Sequence, residues 1–172
     1  TGAGAVSALG SGMDVHLGAA RECRSGLHPH ELFGGRAPDP CICGMVPADV
    51  LDPDLDRTAW NRSDLLLDLA VRQALAGAGD GANARADIVV GTTLGNIHGG
   101  TSYYRGIREE KGYDVSLVRH FLPCAPASYT AAQNDIGGKR WTIASACGSG
   151  TAALGLAFNR VRQGLSERVV AA

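Results

Sequence analysis

Thr142-Ile143-Ala144-Ser145-Ala146-Cys147-Gly148-Ser149-Gly150-Thr151 is the stretch on which the reading of this chain turns. Trp141 to Ala144 predicts a strand, and Gly148 to Gly164 a helix. Leu154, Phe158, Val161 and Leu165 recur along that helix at i, i+4, i+7 and i+11. Cys147 therefore stands at the joint between a strand and a helix. A helix N-terminus offers unpaired N–H groups and the positive end of a dipole, which favour thiolate over thiol. The same N–H groups can hydrogen-bond the oxyanion formed when sulfur attacks a thioester. Gly148, Ser149 and Gly150 leave space for an acyl chain to approach. The pattern taken alone also admits an inert core thiol, because free cysteine is among the most buried residue types.

Outward from that joint, Asp87-Ile88-Val89-Val90-Gly91 predicts a buried strand, being a short β-branched run closed by glycine. A helix is expected from Asn61 to about Ala76, with Leu66, Ala70 and Ala74 in one row and Leu67, Val71 and Leu75 in the next. Asp64, Asp68 and Arg72 are placed on the opposite, polar side, the last two as an i, i+4 ion pair. Gly77 to Gly81 ends this helix. Residues 3–8 predict a short strand, 13–23 a helix, 25–40 a loop, 41–46 a short strand and 47–53 a turn. Beyond the central strand, a loop over 95–100 leads to a helix ending near Glu110, and 126–136 is read as a further helix. Strands separated by helices point to βαβ units and a mixed or parallel sheet.

The chain opens on Thr1-Gly2-Ala3-Gly4-Ala5-Val6, read as the tail of a strand, and closes on Arg168-Val169-Val170-Ala171-Ala172, read as a strand beginning. Strand ends need ladder partners. The expectation is thus a piece of a larger molecule, truncated at both ends.

A chain of 172 residues that is 45% hydrophobic and 19% charged is globular in balance and long enough to bury a core. Its net charge of −1, with no run of like charges, argues against nucleic acid or an anionic membrane as the main partner. Five cysteines without a repeating spacing argue against a disulfide framework and for a reducing, cytoplasmic setting. The longest apolar stretches fall far short of the ~20 residues of a spanning helix.

Ala144 to Ala153 resembles the nucleophile motif of the β-ketoacyl synthases, Thr-Ala-Cys-x-Ser/x-Gly before a long helix. Thr1 to Gly10 resembles that family's opening strand and turn, Thr-Gly-x-Gly-x-Val-Ser-x-x-Gly. Cys23-Arg24-Ser25-Gly26-Leu27 is similar to its Gly-Arg-Ser-Gly-Ile, and Val89 to Gly95 to its central strand and glycine turn. The order and spacing hold from residue 1 to 172. The resemblance implies an α/β fold, the N-terminal half of a thiolase-type αβαβα layered sandwich with a mixed sheet flanked by helices. It implies an acyltransferase in which Cys147 takes an acyl group from a carrier-protein thioester. Decarboxylative Claisen condensation with a malonyl thioester follows, in fatty-acid or polyketide synthesis. Leu94 falls where the family bounds its acyl pocket, and Arg57 and Arg62 near its carrier-docking surface. No metal or cofactor is implied, since substrate arrives on the phosphopantetheine of an acyl carrier protein. The other implied partners are a homodimeric copy and the C-terminal half of the same domain.

Two departures from the family matter. Cys147-Gly148-Ser149-Gly150 also resembles the acylation motif of thiolases, so a thiolase-type acyl-CoA enzyme is the alternative. The histidine motifs that the synthases draw from their second half, His-Gly-Thr-Gly-Thr and Asn-x-Phe-Gly-Phe-Gly-Gly, do not occur among these residues. That leaves a non-catalytic partner subunit or truncated interaction domain as a further alternative. His16, His28, His30, His98 and His120 are not expected to replace those histidines, His98 being the nearest to the acyl pocket. Cys23, His28, His30, Cys41 and Cys43 have metal-ligand types but not zinc-site spacing. Gly91 to Gly95 lacks the endings of a phosphate loop. Of the cysteines, only Cys147 is expected at a helix N-terminus.

Overall fold

The computed structural model describes residues 1–30, 41–51, 61–79, 83–112 and 114–172, the His98 side chain excepted. Its centre is strand β5. In chain order the elements are β1 (Val6–Ser7), β2 (Gly10–Ser11), α1 (Met13–Arg21), β3 (Leu27–His30), β4 (Cys41–Gly44), α2 (Arg62–Ala78) and β5 (Asp87–Gly91). There follow α3 (Ile97–Arg108), α4 (Ser116–Phe121), α5 (Ala125–Gln133), β6 (Arg140–Ile143), α6 (Ser149–Arg162) and β7 (Val169–Ala171).

β5 lies between β6 and β7 and pairs with both in parallel, Ile88 opposite Arg140 on one side and Val170 on the other. Its run of β-branched residues follows from being covered on both faces. Ile88 and Val90 pack with Val71, Ala127, Ala131 and Ile136, so α2 and α5 cover one face. The alternate residue Gly91 turns to the other face and meets α6. A Cβ there would lie 2.3 Å from the Ser149 carbonyl oxygen, so only glycine lets helix and strand approach so closely. The side of α6 that rests on the sheet is the small row Ser149, Ala153 and Ala157, all buried. The apolar row Leu154, Phe158, Val161 and Leu165 consequently points outward, with Phe158 64% exposed.

One ionic anchor ties this layer together. Asp87, at the start of β5, accepts from the Lys139 amide at 2.7 Å, from Arg160 Nε and Nη2 at 3.1 Å each, and from the Ser166 hydroxyl. Arg160 also lies over the Trp141 ring, 4.0 Å from its centroid. Burial pulls the Asp87 carboxyl upward, but these donors and the Arg160 charge outweigh it and hold the group below its ordinary value.

Helix α2 differs from its sequence reading on one face. Asp64 and Asp68, expected on the polar side, are buried along with Leu65 and Val71. One oxygen of each carboxylate accepts from an amide of another segment: Asn96 donates to Asp64 at 2.6 Å and Asn134 to Asp68 at 2.6 Å. The expected ion pair is present, with Arg72 Nε 2.7 Å from Asp68. Burial pushes the Asp64 carboxyl up, against the opposing pull of the Asn96 amide, the Asn61 backbone and the charge of His120.

The remaining departures are local. The strand expected over 3–8 is a two-residue hairpin arm at Val6–Ser7, and residues 1–5 lie along α2, where Gly2 and Gly4 abut the Ala74 and Ala70 carbonyls. β3 occupies part of the expected loop and pairs antiparallel with β4. Its Pro29 is tolerated because each strand of a two-stranded ribbon is an edge strand, where proline can sit at a position whose nitrogen faces away from the partner. α4 was not expected. It packs on α3, where Gly100 leaves room for the Phe121 ring.

Candidate active site

The C-terminal ends of the parallel strands β5 and β6 lie side by side, and the residues that follow them converge. In open α/β sheets this is where ligands bind, because the loops there diverge to make a crevice. After β6 the chain passes through Ala144 to Ala146 and reaches Cys147, which is exposed and precedes Gly148, the N-cap of α6. Ala146 has φ 46°, a left-handed conformation that costs an L-residue about 1–2 kcal/mol.

Three donors converge on the Ala146 carbonyl. The Ser149 hydroxyl donates at 2.8 Å and the Ser149 amide at 3.2 Å. The Thr93 hydroxyl donates at 2.8 Å from the segment that follows β5. Ser149 Oγ in turn accepts from the Ser145 amide at 2.9 Å and lies 3.4 Å from Thr93 Oγ1. The Gly148 amide closes the turn onto the Ser145 carbonyl at 2.9 Å. The bend that presents Cys147 is thus pinned on both sides. Chemically, the joint offers an exposed cysteine just before the N-cap of a 14-residue helix, next to glycines that leave its approach open.

Contrary to the expectation from sequence, Cys147 is not alone in this placement. Cys124 is also at a helix N-terminus, as the N-cap of α5, and is exposed. The alanine-rich pattern placed that helix over 126–136, whereas Pro126 occupies its first turn, where a missing N–H costs nothing. Helix position alone therefore does not single out Cys147. What separates them is the strand before Cys147, the glycines after it and its place at the converging strand ends. Cys23 is exposed, and Cys41 and Cys43 are half-buried.

Leu94 follows Thr93 directly and is 63% exposed beside this joint. Arg62 is exposed at the start of α2, and its guanidinium donates to the Val46 carbonyl at 3.0 Å. Arg57 lies outside the described residues, as does the side chain of His98. His16, in α1, is held at both ring nitrogens, Nδ1 donating to the Gly12 carbonyl at 2.7 Å and Nε2 meeting the Ser7 hydroxyl of β1 at 2.8 Å. The β3–β4 register sets His28 opposite Cys43 and His30 opposite Cys41. Even so, no three His, Cys, Asp or Glu side chains among the described residues are arranged to hold a metal ion. A cavity of about 440 Å³ lies elsewhere, between α2, α6 and β7, and none of Cys147, Thr93 or Leu94 lines it. No helix among the described residues is long and apolar enough to cross a membrane.

Thr93 and Ser149 were not marked as site residues by the sequence. The available signal was a hydroxyl residue two places past a buried parallel strand, on the same sheet end as the cysteine.

The family model described as "Beta-ketoacyl synthase, N-terminal domain" matches residues 45–172. No curated relative matches the sequence. Among solved structures, "The ishigamide ketosynthase/chain length factor" superimposes with a TM-score of 0.85 at 22% identity, over 99% of this chain and 50% of that one. A β-ketoacyl synthase from Burkholderia phymatum STM815 superimposes with a TM-score of 0.78 at 22% identity, over 95% of this chain and 43% of that one. The chain spans about half the length of these solved relatives.

Proposed function

The chain belongs to the β-ketoacyl synthase family, matching its N-terminal domain, and on that premise we propose that Cys147 is the nucleophile of an acyltransferase. The observation that carries this reading is the exposed Cys147 at the β6–α6 joint, inside the matched region. The Cys147 thiolate attacks the carbonyl of an acyl thioester carried on phosphopantetheine. A carbon–sulfur bond forms to Cys147, and the carrier thiolate leaves and takes up a proton. The dipole of α6, whose N-cap Gly148 follows Cys147 directly, favours the negative charge that develops there. In the second half-reaction a malonyl thioester loses carbon dioxide, and its carbanion attacks the acyl-Cys147 carbonyl. The new carbon–carbon bond releases Cys147 as thiolate. The groups that assist decarboxylation come from a C-terminal half, and a homodimer is the expected assembly. Thiolase-type use of coenzyme A esters is the competing reading of Cys147-Gly148-Ser149-Gly150. Single-turnover acylation with matched carrier-protein and coenzyme A thioesters separates the two, since preference for coenzyme A supports the thiolase reading.

Leu94 bounds the acyl pocket in this account, because it is the residue after Thr93 and stands open beside the cysteine joint. Leu94→Phe is expected to shift products or accepted acyl groups to shorter chains, since added volume in a fitted pocket finds no slack. An unchanged chain-length profile counts against that placement.

Arg57 and Arg62 are read as part of the docking surface for an acidic carrier protein. An Arg57→Glu/Arg62→Glu double variant is expected to raise KM for the carrier-borne substrate several-fold at low salt, with the difference shrinking as salt screens it. Equal kinetics for variant and parent at low salt end this reading. Arg62→Lys tests the Val46 contact separately, because it keeps the charge while disturbing the guanidinium bond.

A further inference from the structure

We propose that Thr93 is a positioning residue for Cys147, acting through the carbonyl of Ala146; the inference rests on the reading of Cys147 as nucleophile. Ala146 is the residue whose left-handed backbone turns the chain so that Cys147 faces outward. A left-handed alanine relaxes unless its flanking peptides are held. Rotation of Ala146 back to negative φ swings the peptide that leads into Cys147 and re-aims the sulfur. Its carbonyl oxygen is held by Ser149 from within the same turn and by Thr93 from the neighbouring strand end.

The two tethers do different jobs. Ser149 is buried, accepts the Ser145 amide and belongs to the first turn of α6, so it moves with the joint. Thr93 comes from the end of β5, whose preceding Thr92 amide donates to the Ile143 carbonyl at 2.9 Å, locking that segment to β6. Thr93 references the turn to the central sheet by way of a side chain. Thr93 is itself exposed, so its hydroxyl is not required to satisfy a buried group. The same residue precedes Leu94, so the tether also sets the spacing between the sulfur and the side chain expected to meet the acyl group.

The test uses the full-length protein, with hexanoyl-N-acetylcysteamine thioester as acyl donor and single-turnover acylation as readout. Thr93→Val removes the hydroxyl at nearly constant shape and is expected to slow acylation at saturating donor about tenfold, leaving donor KM within twofold and the melting temperature within a few degrees. Thr93→Ser restores the hydroxyl and is expected to recover the rate to within about threefold of the parent. Thr93→Ala serves where valine disturbs folding and is expected to match the valine variant. Parent-like acylation in Thr93→Val and Thr93→Ala overturns the inference, and so does a serine variant as slow as the valine one. Cys147→Ala run in parallel keeps the two layers apart. Lost acylation there with a parent-like Thr93→Val defeats the positioning role alone, and retained acylation there defeats the nucleophile reading and this inference together.

Discussion

Cys147→Ala is expected to lower acyl transfer from a thioester by on the order of 10³-fold or more while leaving the melt unchanged. Loss of a nucleophile removes the covalent route altogether, and what survives is the small acceleration due to binding. The fold should not register the change, because Cys147 is exposed and packs into no part of the buried cluster. Cys124→Ala is the matched control, since it removes the other exposed cysteine at a helix N-terminus. It is expected to retain acylation within about twofold, the scatter typical of a surface substitution that leaves the chemistry alone. Cys147→Ser adds a finer check. A hydroxyl in the same place is a much weaker nucleophile than a thiolate at neutral pH, so it too should fall far below the parent. Acylation of Cys147→Ala at the parent rate, or its loss in Cys124→Ala, reverses the assignment.

Asp87→Ala is expected to cost about 3–5 kcal/mol of stability, the usual consequence of leaving one partner of a buried ion pair without the other. The side chains of Arg160 and Asp87 are only 12% and 9% exposed. Removing the carboxylate leaves the guanidinium without its counter-ion and the Lys139 amide without its acceptor. The ion pair also links α6 to the start of β5, so its loss loosens the helix that carries the cysteine joint. The same group gives the protein an acid limb. Because its folded pKa lies below the ordinary 3.8, its contribution is present above that value and fades as pH falls toward the folded one. Asp64 acts in the opposite sense. Its folded pKa is raised, so the fold favours the neutral acid, and stability is lost as pH rises from 3.8 through the raised value. Urea titrations at pH 7 and pH 3 should therefore show a large gap between parent and Asp87→Ala at pH 7 and a smaller gap at pH 3. Coincident midpoints at pH 7 would show that the anchor does not matter.

How much of this was legible depended on whether a residue's partners were near it in sequence. The strand at 87–91 and the helix after Cys147 were plain, since a continuous β-branched run and an i, i+4 apolar row are local patterns. The inward turn of Asp64 and Asp68 was not, because the amides that accept them into the interior, Asn96 and Asn134, lie 32 and 66 residues away. Charge alone sent them to the surface. The apolar row on α6 was legible as a row, but that it faces outward appears only in three dimensions: Gly91 draws the small row Ser149, Ala153 and Ala157 onto the sheet. β3 was hidden by Pro29, which reads as a breaker until its partner β4 is known. At the candidate site, Cys147 was legible from its flanking strand and glycines. The tether from Thr93 was not, since it crosses 53 residues of chain to a backbone carbonyl that no side-chain pattern reports. The equivalence of Cys124 as a helix cap was missed because the helix start was set too late.

The most direct measurement is peptide mapping of the full-length protein after brief exposure to the hexanoyl thioester, with all five cysteines followed by mass. The account predicts one hexanoyl group per chain, carried on the peptide containing Cys147, with Cys124 and Cys23 unmodified although both are exposed. A label spread over the exposed cysteines in proportion to their accessibility, or concentrated on Cys124, would contradict it.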